Sequence, residues 1–248
     1  MLFFNISALH VAAENNNIEI INLLLSLPET KIGPNSFEDC TEITEMSIPS
    51  SVVSIGFKAF KGCSSLESIT IPFSVTSIES FAFIGCSSLT EVIIDSSLNS
   101  IGNSTFKGCS SLKKVTIHSV VSIEKAAFQE CTSLTNVTII SFLSSIGEYA
   151  FQGCSSLEQI SIPSMPSNDE EATSKLIGLC AFEGCSALKE ITIPFSTTSI
   201  GENAFHNCSS IQEIVIPSSV DSIASNAFYG CSSLNKVVFE SPSSLKSI

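Results

Sequence analysis

The sequence contains no arginine and no tryptophan, and charged residues make up only 14% of its 248 positions. All 11 basic residues are lysines, and the 24 acidic residues give a net charge of −13. The chain therefore has neither arginine–phosphate pairs nor a surplus of positive charge, which are the features that bind nucleic acids and anionic membranes. This composition argues against both as partners.

The sequence also lacks any run of about 18 or more apolar residues, although 44% of its residues are hydrophobic. A helix that crosses a bilayer needs about 20 such residues, so no membrane span is predicted. The segment Met1–Phe4 has no positive charge and opens no long apolar stretch, so it does not resemble a signal peptide. The apolar residues are therefore available for a buried core.

A unit of about 23 residues repeats nine times along most of the chain. Each unit has a cysteine, and these are Cys40, Cys63, Cys86, Cys109, Cys131, Cys154, Cys185, Cys208 and Cys231. A phenylalanine stands three residues before each cysteine, at Phe37, Phe60, Phe83, Phe106, Phe128, Phe151, Phe182, Phe205 and Phe228. A leucine or isoleucine stands three residues after it, and a further isoleucine closes most units. This regular spacing predicts a solenoid of stacked units.

Each unit contains the pattern of a short strand followed by a tight turn. Apolar and polar residues alternate around Leu66, Ile69 and Ile71, as expected for a strand with one buried face. Proline follows the strand in five of the nine units and ends it. The segment Ala59–Cys63 predicts one helical or 3₁₀ turn that ends at a glycine with positive φ. Stacking predicts an α/β solenoid with a parallel sheet of about nine short strands and each phenylalanine over the next.

One segment interrupts the repeat between Cys154 and Cys185, which are 31 rather than 23 residues apart. The eight extra residues fall within the acidic segment 165–175. Two interpretations remain open. The segment is either a contact loop on the rim of the solenoid or a surface insertion that costs little stability.

The first 31 residues do not contain the repeat and resemble one ankyrin repeat. Residues 7–13 read Ser-Ala-Leu-His-Val-Ala-Ala, and a second apolar stretch follows, which predicts helices at Ala8–Asn15 and Ile18–Leu27. One such unit is not stable by itself, so it either caps the solenoid or is the remnant of a longer ankyrin array. We predict a helix pair at 1–31 and a repeat domain at 32–248 with its insert at 165–175.

The units from residue 32 to 248 resemble the BspA-like leucine-rich repeats of bacterial and protist surface proteins. Residues 59–66, Ala-Phe-Lys-Gly-Cys-Ser-Ser-Leu, show the motif that carries this resemblance. The resemblance implies a leucine-rich-repeat superhelix and a role as an adhesin or surface antigen that binds host or other proteins. It also implies a location at the cell surface, whereas the ankyrin-like start and the missing signal peptide indicate the cytoplasm.

The cysteines and histidines do not form a predicted reaction centre. Nine cysteines share one position beside the core phenylalanine, so we interpret them as a ladder of buried thiols. Cys180 breaks this register and is predicted to be an exposed thiol. His10, His118 and His206 are scattered, and no nucleophile–base, metal-ligand or paired-carboxylate motif accompanies them. We therefore predict no enzymatic activity, no catalytic residue, no metal site and no cofactor.

The outward side chains of the predicted strands form columns across the repeats and are the candidate binding surface. We expect a protein partner to contact Glu67, Thr70, Glu91, Lys113, Lys114, Thr116, Asn136, Thr138, Glu158, Lys189, Glu190 and Thr192. This polar, β-branched surface suits an extended protein segment, but a plain solvated sheet has the same composition. The predicted function is a non-catalytic protein-binding or adhesion module. The alternative is a surface-coat or spacer protein without a specific ligand. The sequence leaves the partner's identity and the oligomeric state open.

Overall fold

The structure, a computed structural model, describes residues 6–163 and 175–247. Apart from Lys175, the predicted insert at 165–175 lies outside the described residues. Two helices come first, α1 (Ile6–Glu14) and α2 (Ile18–Leu25), close to the predicted bounds. Asn17 precedes α2, and its side chain accepts a hydrogen bond of 3.1 Å from the Ile20 N–H, which satisfies one free donor of the first turn.

The strands of the described residues follow the helices. They are β1 (Thr30–Ile32), β2 (Val52–Ile55), β3 (Ser68–Ile71), β4 (Ser77–Ile78), β5 (Glu91–Ile101), β6 (Lys114–Ile123), β7 (Asn136–Ile139), β8 (Ser145–Ile146), β9 (Gln159–Ser161), β10 (Lys175–Ile177), β11 (Glu190–Ile191), β12 (Thr197–Ile200), β13 (Glu213–Ile216), β14 (Ser222–Ile223) and β15 (Lys236–Phe239). Paired strands run parallel and come from consecutive repeats, for example β7 with β9. The predicted parallel solenoid is confirmed.

Most repeats contribute strands to two columns, whereas the sequence predicted one. The strands after the leucine of each unit form the front sheet, which contains β3, β7, β9 and β11 and continues in the pair β13–β15. The strands at the closing isoleucine form the side sheet, which contains β1, β2, β4, β8, β10, β12 and β14. The long strands β5 and β6 belong to both columns and join them.

The side sheet escaped prediction because its apolar residues do not alternate. In β2 the buried residues are Val52 and Ile55, three positions apart, with two half-buried residues between them. A strand is normally recognised by a period of two, so this spacing indicated only a turn closed by an isoleucine. The column forms because each segment pairs with the equivalent segment of the next unit, such as Ile55 with Ile78.

The nine repeat phenylalanines form one stack through the core. Neighbouring ring centroids are 4.8–5.3 Å apart, and their planes differ by at most 8°. Eight of the rings are fully buried, and only Phe228 in the last repeat is half-buried. The predicted stacking of each phenylalanine over the next is confirmed.

A ladder of thiols runs beside the stack and links consecutive repeats. The Cys63 Sγ donates to the carbonyl oxygen of Phe37 at 2.9 Å, and the Cys231 Sγ donates to that of Phe205 at 3.1 Å. The same contact recurs at the cysteines between them. All ten cysteines lie in the described residues, are buried and form no disulfide. The thiol ladder predicted from the sequence is present.

The predicted helical turn of each unit is a run of tight turns. The Cys63 N–H bonds to the carbonyl oxygen of Phe60 at 3.2 Å, and the Leu66 N–H bonds to that of Cys63 at the same distance. The position before the cysteine is a glycine in six units, with φ between 70° and 75°. Glycine adopts this left-handed conformation without the steric cost that a Cβ imposes. The expectation for Gly62 is therefore confirmed.

The helix pair packs against the first turn of the solenoid. Leu9, Ala12, Ile21 and Leu25 belong to the same buried cluster as the repeat core. Strand β1 begins at Thr30 and pairs with β2, so the helices connect directly to the side sheet. The helix pair and the first turn of the solenoid therefore share one buried core.

Candidate protein-binding face

The predicted binding residues lie side by side on the outer surface of the front sheet. In one column, Glu91, Lys114 and Asn136 are partners in neighbouring strands. In the next, Thr116 is the partner of Thr138. The third column joins Glu67, Thr90, Lys113, Thr135, Glu158 and Lys189 through successive backbone hydrogen bonds of 2.8–3.1 Å. Parallel pairing in register therefore brings residues from six repeats onto one surface.

Charges on this surface are partly paired between repeats. Lys114 Nζ lies 3.0 Å from Glu91 Oε1, and Lys189 Nζ lies 2.8 Å from Glu158 Oε2. These four side chains remain about half exposed, so each pair contributes little to stability. Among residues 6–163 and 175–247, Glu67, Lys113 and Glu190 form no ion pair. Their charges are therefore available to a partner.

A shallow depression of about 300 Å³ crosses β7, β9 and β11. Its polar lining consists of Asn136, Thr138, Gln159, Ser161, Glu190 and Thr192. Four of these residues are in the predicted set, and Gln159 and Ser161 are additions. Both occupy the same columns as Asn136 and Thr138, so they follow from the register of the repeats.

A second exposed feature escaped prediction, on the turns that follow the front strands. Phe73, Ile140, Phe142 and Phe195 occur there, and their side chains are 77%, 55%, 43% and 50% exposed. The sequence signal is an apolar residue at or just after the position of the strand-ending proline.

Cys180 is buried, with only 6% of its surface exposed, so the prediction of an exposed thiol was wrong. It occupies a left-handed turn position with φ 52°, and the turn directs the thiol inward against Glu183 and Asn203. Burial and the Glu183 carboxylate raise the pKa of the Cys180 thiol to about 11. A thiol with this pKa is protonated near neutral pH and is a poor nucleophile.

The carboxylate of Glu183 holds a small hydrogen-bond network beside this thiol. Its Oε1 lies 3.1 Å from His206 Nδ1, and its Oε2 accepts a bond of 2.6 Å from Gln152. Burial alone would raise the pKa of Glu183, but the hydrogen bonds from Cys180, His206 and Gln152 lower it. The Nδ1 atom of His206 therefore faces the Glu183 carboxylate.

The described residues also show no arrangement suited to a metal ion or a membrane span. In residues 6–163 and 175–247, no three His, Cys, Asp or Glu side chains converge on a possible metal position. Over the same ranges, neither helix has the length and apolar character needed to cross a bilayer. The front sheet is therefore the surface on which we base a functional proposal.

Comparison with protein families gives one match, to the BspA type leucine-rich repeat region. The match comprises six copies over residues 30–158, 117–175 and 170–248. It begins at the first strand and leaves out the helix pair. The two helices are present, but no comparison supports their interpretation as an ankyrin-like repeat. Among proteins of curated function, none is similar to this chain in sequence.

Solved structures of leucine-rich repeat proteins are similar to this chain. One from T. pallidum is 26% identical, with a TM-score of 0.51, and the alignment covers 75% of this chain and 73% of that one. One from Bacteroides ovatus is 29% identical over 90% of this chain and 67% of that one, with a TM-score of 0.49. The pneumococcal vaccine antigen PcpA is 20% identical over 79% and 62%, with a TM-score of 0.45.

Proposed function

Because this chain belongs to the family of BspA-type leucine-rich repeat proteins, we propose that it is a non-catalytic module that binds other proteins through the outer surface of its front sheet. Adhesion as a surface antigen is the specific role that we assign to it. The observation that carries the proposal is the register of β3, β5, β6, β7, β9 and β11, which gathers the predicted residues on one surface.

The chemistry of this surface suits an extended segment of a partner protein. The unpaired Lys113 ammonium can bind a carboxylate, and the Asn136 amide can bind backbone groups of the partner. The depression across β7, β9 and β11 gives such a segment a place to lie. Since parallel strands hold these side chains in a fixed register, binding requires little ordering of the protein itself.

The second candidate function, a spacer or surface-coat element, is favoured by the ion pairs of the front sheet. Three of its lysines, Lys114, Lys189 and Lys236, face a glutamate of the preceding repeat at 2.7–3.0 Å. The charges of these lysines are already balanced by glutamates of the same chain, so this surface needs no ligand to balance them. We also retain as a proposal the division into a helix pair at 1–31 and a repeat domain at 32–248 with an insert at 165–175.

Charge reversal separates the two candidates. The triple variant Lys113→Glu, Lys114→Glu and Lys189→Glu should weaken binding of the full chain to surfaces coated with extracellular matrix proteins by more than about tenfold. A matched triple variant at Lys31, Lys125 and Lys246 carries the same change in net charge on other surfaces. It should bind like the unmodified chain. Equal binding of all three proteins would favour the spacer.

A further inference from the structure

We propose that the groove between helix α2 and the first edge of the front sheet binds a basic amphipathic helix of another protein. This surface lies outside the predicted binding residues, and the inference does not depend on the function proposed for the front sheet. The groove has a volume of about 350 Å³ and is lined by Ile18, Ile21, Asn22, Glu45, Met46, Ser47 and Ser68.

The first argument is the apolar character of the groove and of the helices beside it. Ile21 is fully buried and forms the floor, while Ile18 on the same helix is 43% exposed and Met46 is half-buried on the opposite wall. Short helices in water normally bury their large apolar side chains, so this surface has the character of an uncovered interface.

The second argument is the shape of the groove. One wall is the helix α2, on which Ile18, Ile21 and Asn22 share a face by their spacing of three and four residues. The other wall is the segment Glu45–Ser47, which is joined to the next repeat by the bridge between Glu45 and Ser68. A groove with one helical wall and the partly exposed side chains of Ile18 and Met46 suits an amphipathic helix that places its own apolar face inside.

The third argument is charge, which identifies the kind of helix. The first 50 residues contain seven acidic residues and one lysine, Lys31. Glu45 lines the groove, Glu19 follows Ile18 on α2, and Glu42 precedes Glu45 in the same segment. Among residues 6–163 and 175–247, Glu19, Glu42 and Glu45 form no ion pair.

Glu45 in the groove and Glu19 beside it are both exposed. A helix with lysines or arginines beside its apolar stripe would therefore meet opposite charges around an apolar groove. An acidic helix or an anionic lipid surface would be repelled.

The test uses the full chain and a synthetic helical peptide. The peptide has about 18 residues, roughly 27 Å of helix, with leucines at i, i+3, i+4 and i+7 and lysines elsewhere. Met46 is one of only three methionines, so its ¹³C-labelled methyl signal, assigned with the variant Met46→Leu, reports on the groove itself. Addition of the lysine peptide should shift this signal in a saturable manner. A matched peptide with glutamate in place of lysine should not.

Two protein variants distinguish binding in the groove from nonspecific binding of the peptide. Ile18→Asp should weaken the peptide's binding by more than about tenfold, because it places a charge in the apolar groove. Tyr229→Asp changes a more exposed aromatic residue in the last repeat, at the other end of the array, and should leave binding unchanged. Equal weakening by both variants, binding of the glutamate peptide, or an unshifted Met46 signal would each overturn the proposal.

A third pair of measurements tests the charge and the helical form. Glu19→Lys with Glu45→Lys should weaken binding of the lysine peptide several-fold, and unchanged affinity would contradict the role of charge. A lysine peptide with a central proline cannot form a continuous helix. It should lose affinity, and full affinity would show that the groove takes an extended segment instead.

Discussion

The inner repeats and the last repeat have the same motif but different burial. Phe151 and Leu157 in an inner repeat are completely buried, whereas the equivalent Phe228 and Leu234 in the last repeat are only half-buried. The inward residue Val115 of β6 is buried, and its equivalent Val237 of β15 is 45% exposed. Because the local sequence is the same, the difference comes from the neighbouring repeat. A unit of this solenoid therefore gains its stability largely from its interfaces.

Removal of one ring from the stack should give the largest effect. Phe151→Ala should lower the free energy of unfolding by about 3–5 kcal/mol, because it leaves a cavity between two stacked rings. Phe228→Ala should cost clearly less, since its ring has a single stacking neighbour, Phe205. Denaturation of both variants by urea measures the two losses. Equal losses would contradict a stability based on interfaces.

The thiol ladder should make stability depend on alkaline pH. Burial raises the pKa of the Cys154 thiol to about 12, from an ordinary value of 9.0. Because the folded pKa is above the unfolded one, the thiol's contribution is fully present below pH 9.0 and is lost as pH rises toward 12. Urea midpoints should therefore fall steadily above pH 9. A flat profile between pH 8 and 11 would contradict the buried ladder.

Alkylation of the folded protein extends this prediction to the two kinds of repeat. Cys231 in the last repeat is 9% exposed, whereas Cys154 is completely buried. Iodoacetamide should therefore modify Cys231 at least about tenfold faster than Cys154, since the reagent needs an accessible thiolate. Peptide mass spectrometry over a time course measures both rates. Simultaneous modification would indicate that the whole array opens at once.

The backbone strain at the turn position before each repeat cysteine should depend on the residue type there and not on whether the repeat is an inner or an outer one. Glu130 has a φ of 63° at a turn position where six other units have glycine. A Cβ in the left-handed conformation costs about 1–2 kcal/mol, so Glu130→Gly should raise the free energy of unfolding by about 1 kcal/mol. Asn207 has a φ of 60° at the equivalent position, but asparagine tolerates this conformation. Asn207→Gly should therefore give a smaller gain in a thermal melt.

The features that were predictable from the sequence are those that repeat with it. The spacing of Phe60, Cys63 and Leu66 specified the stack, the thiol ladder and the front sheet, because identical units in register must place equivalent residues side by side. The same logic placed the candidate binding columns. The side sheet was missed because its buried residues are three apart, and the burial of Cys180 was missed because it depends on a turn with positive φ.

Features that depend on single side chains were beyond prediction. The groove beside α2 arises where a helix meets the sheet, and no periodicity in the sequence describes that junction. The partly buried network around Glu183 requires Gln152, Cys180 and His206 from three different repeats to converge. Such contacts depend on rotamers, whereas the repeat specifies only the backbone positions.

Surface ion pairs should show the smallest effect, and no difference between the two regions. Lys114–Glu91 in the inner front sheet and Lys236–Glu213 at the last strand have contacts of 3.0 and 2.7 Å. Their lysines are 57% and 59% exposed, so water screens both pairs to a similar extent. Lys114→Ala and Lys236→Ala should each lower the free energy of unfolding by roughly 0.2–1 kcal/mol, and by less in high salt.

Double-mutant cycles with Glu91→Ala and Glu213→Ala measure the coupling energy of each ion pair. A clearly larger coupling energy for Lys114–Glu91 than for Lys236–Glu213 would mean that neighbouring repeats also strengthen surface ion pairs. That result would contradict the view that stacking stabilises the solenoid mainly through buried apolar surface.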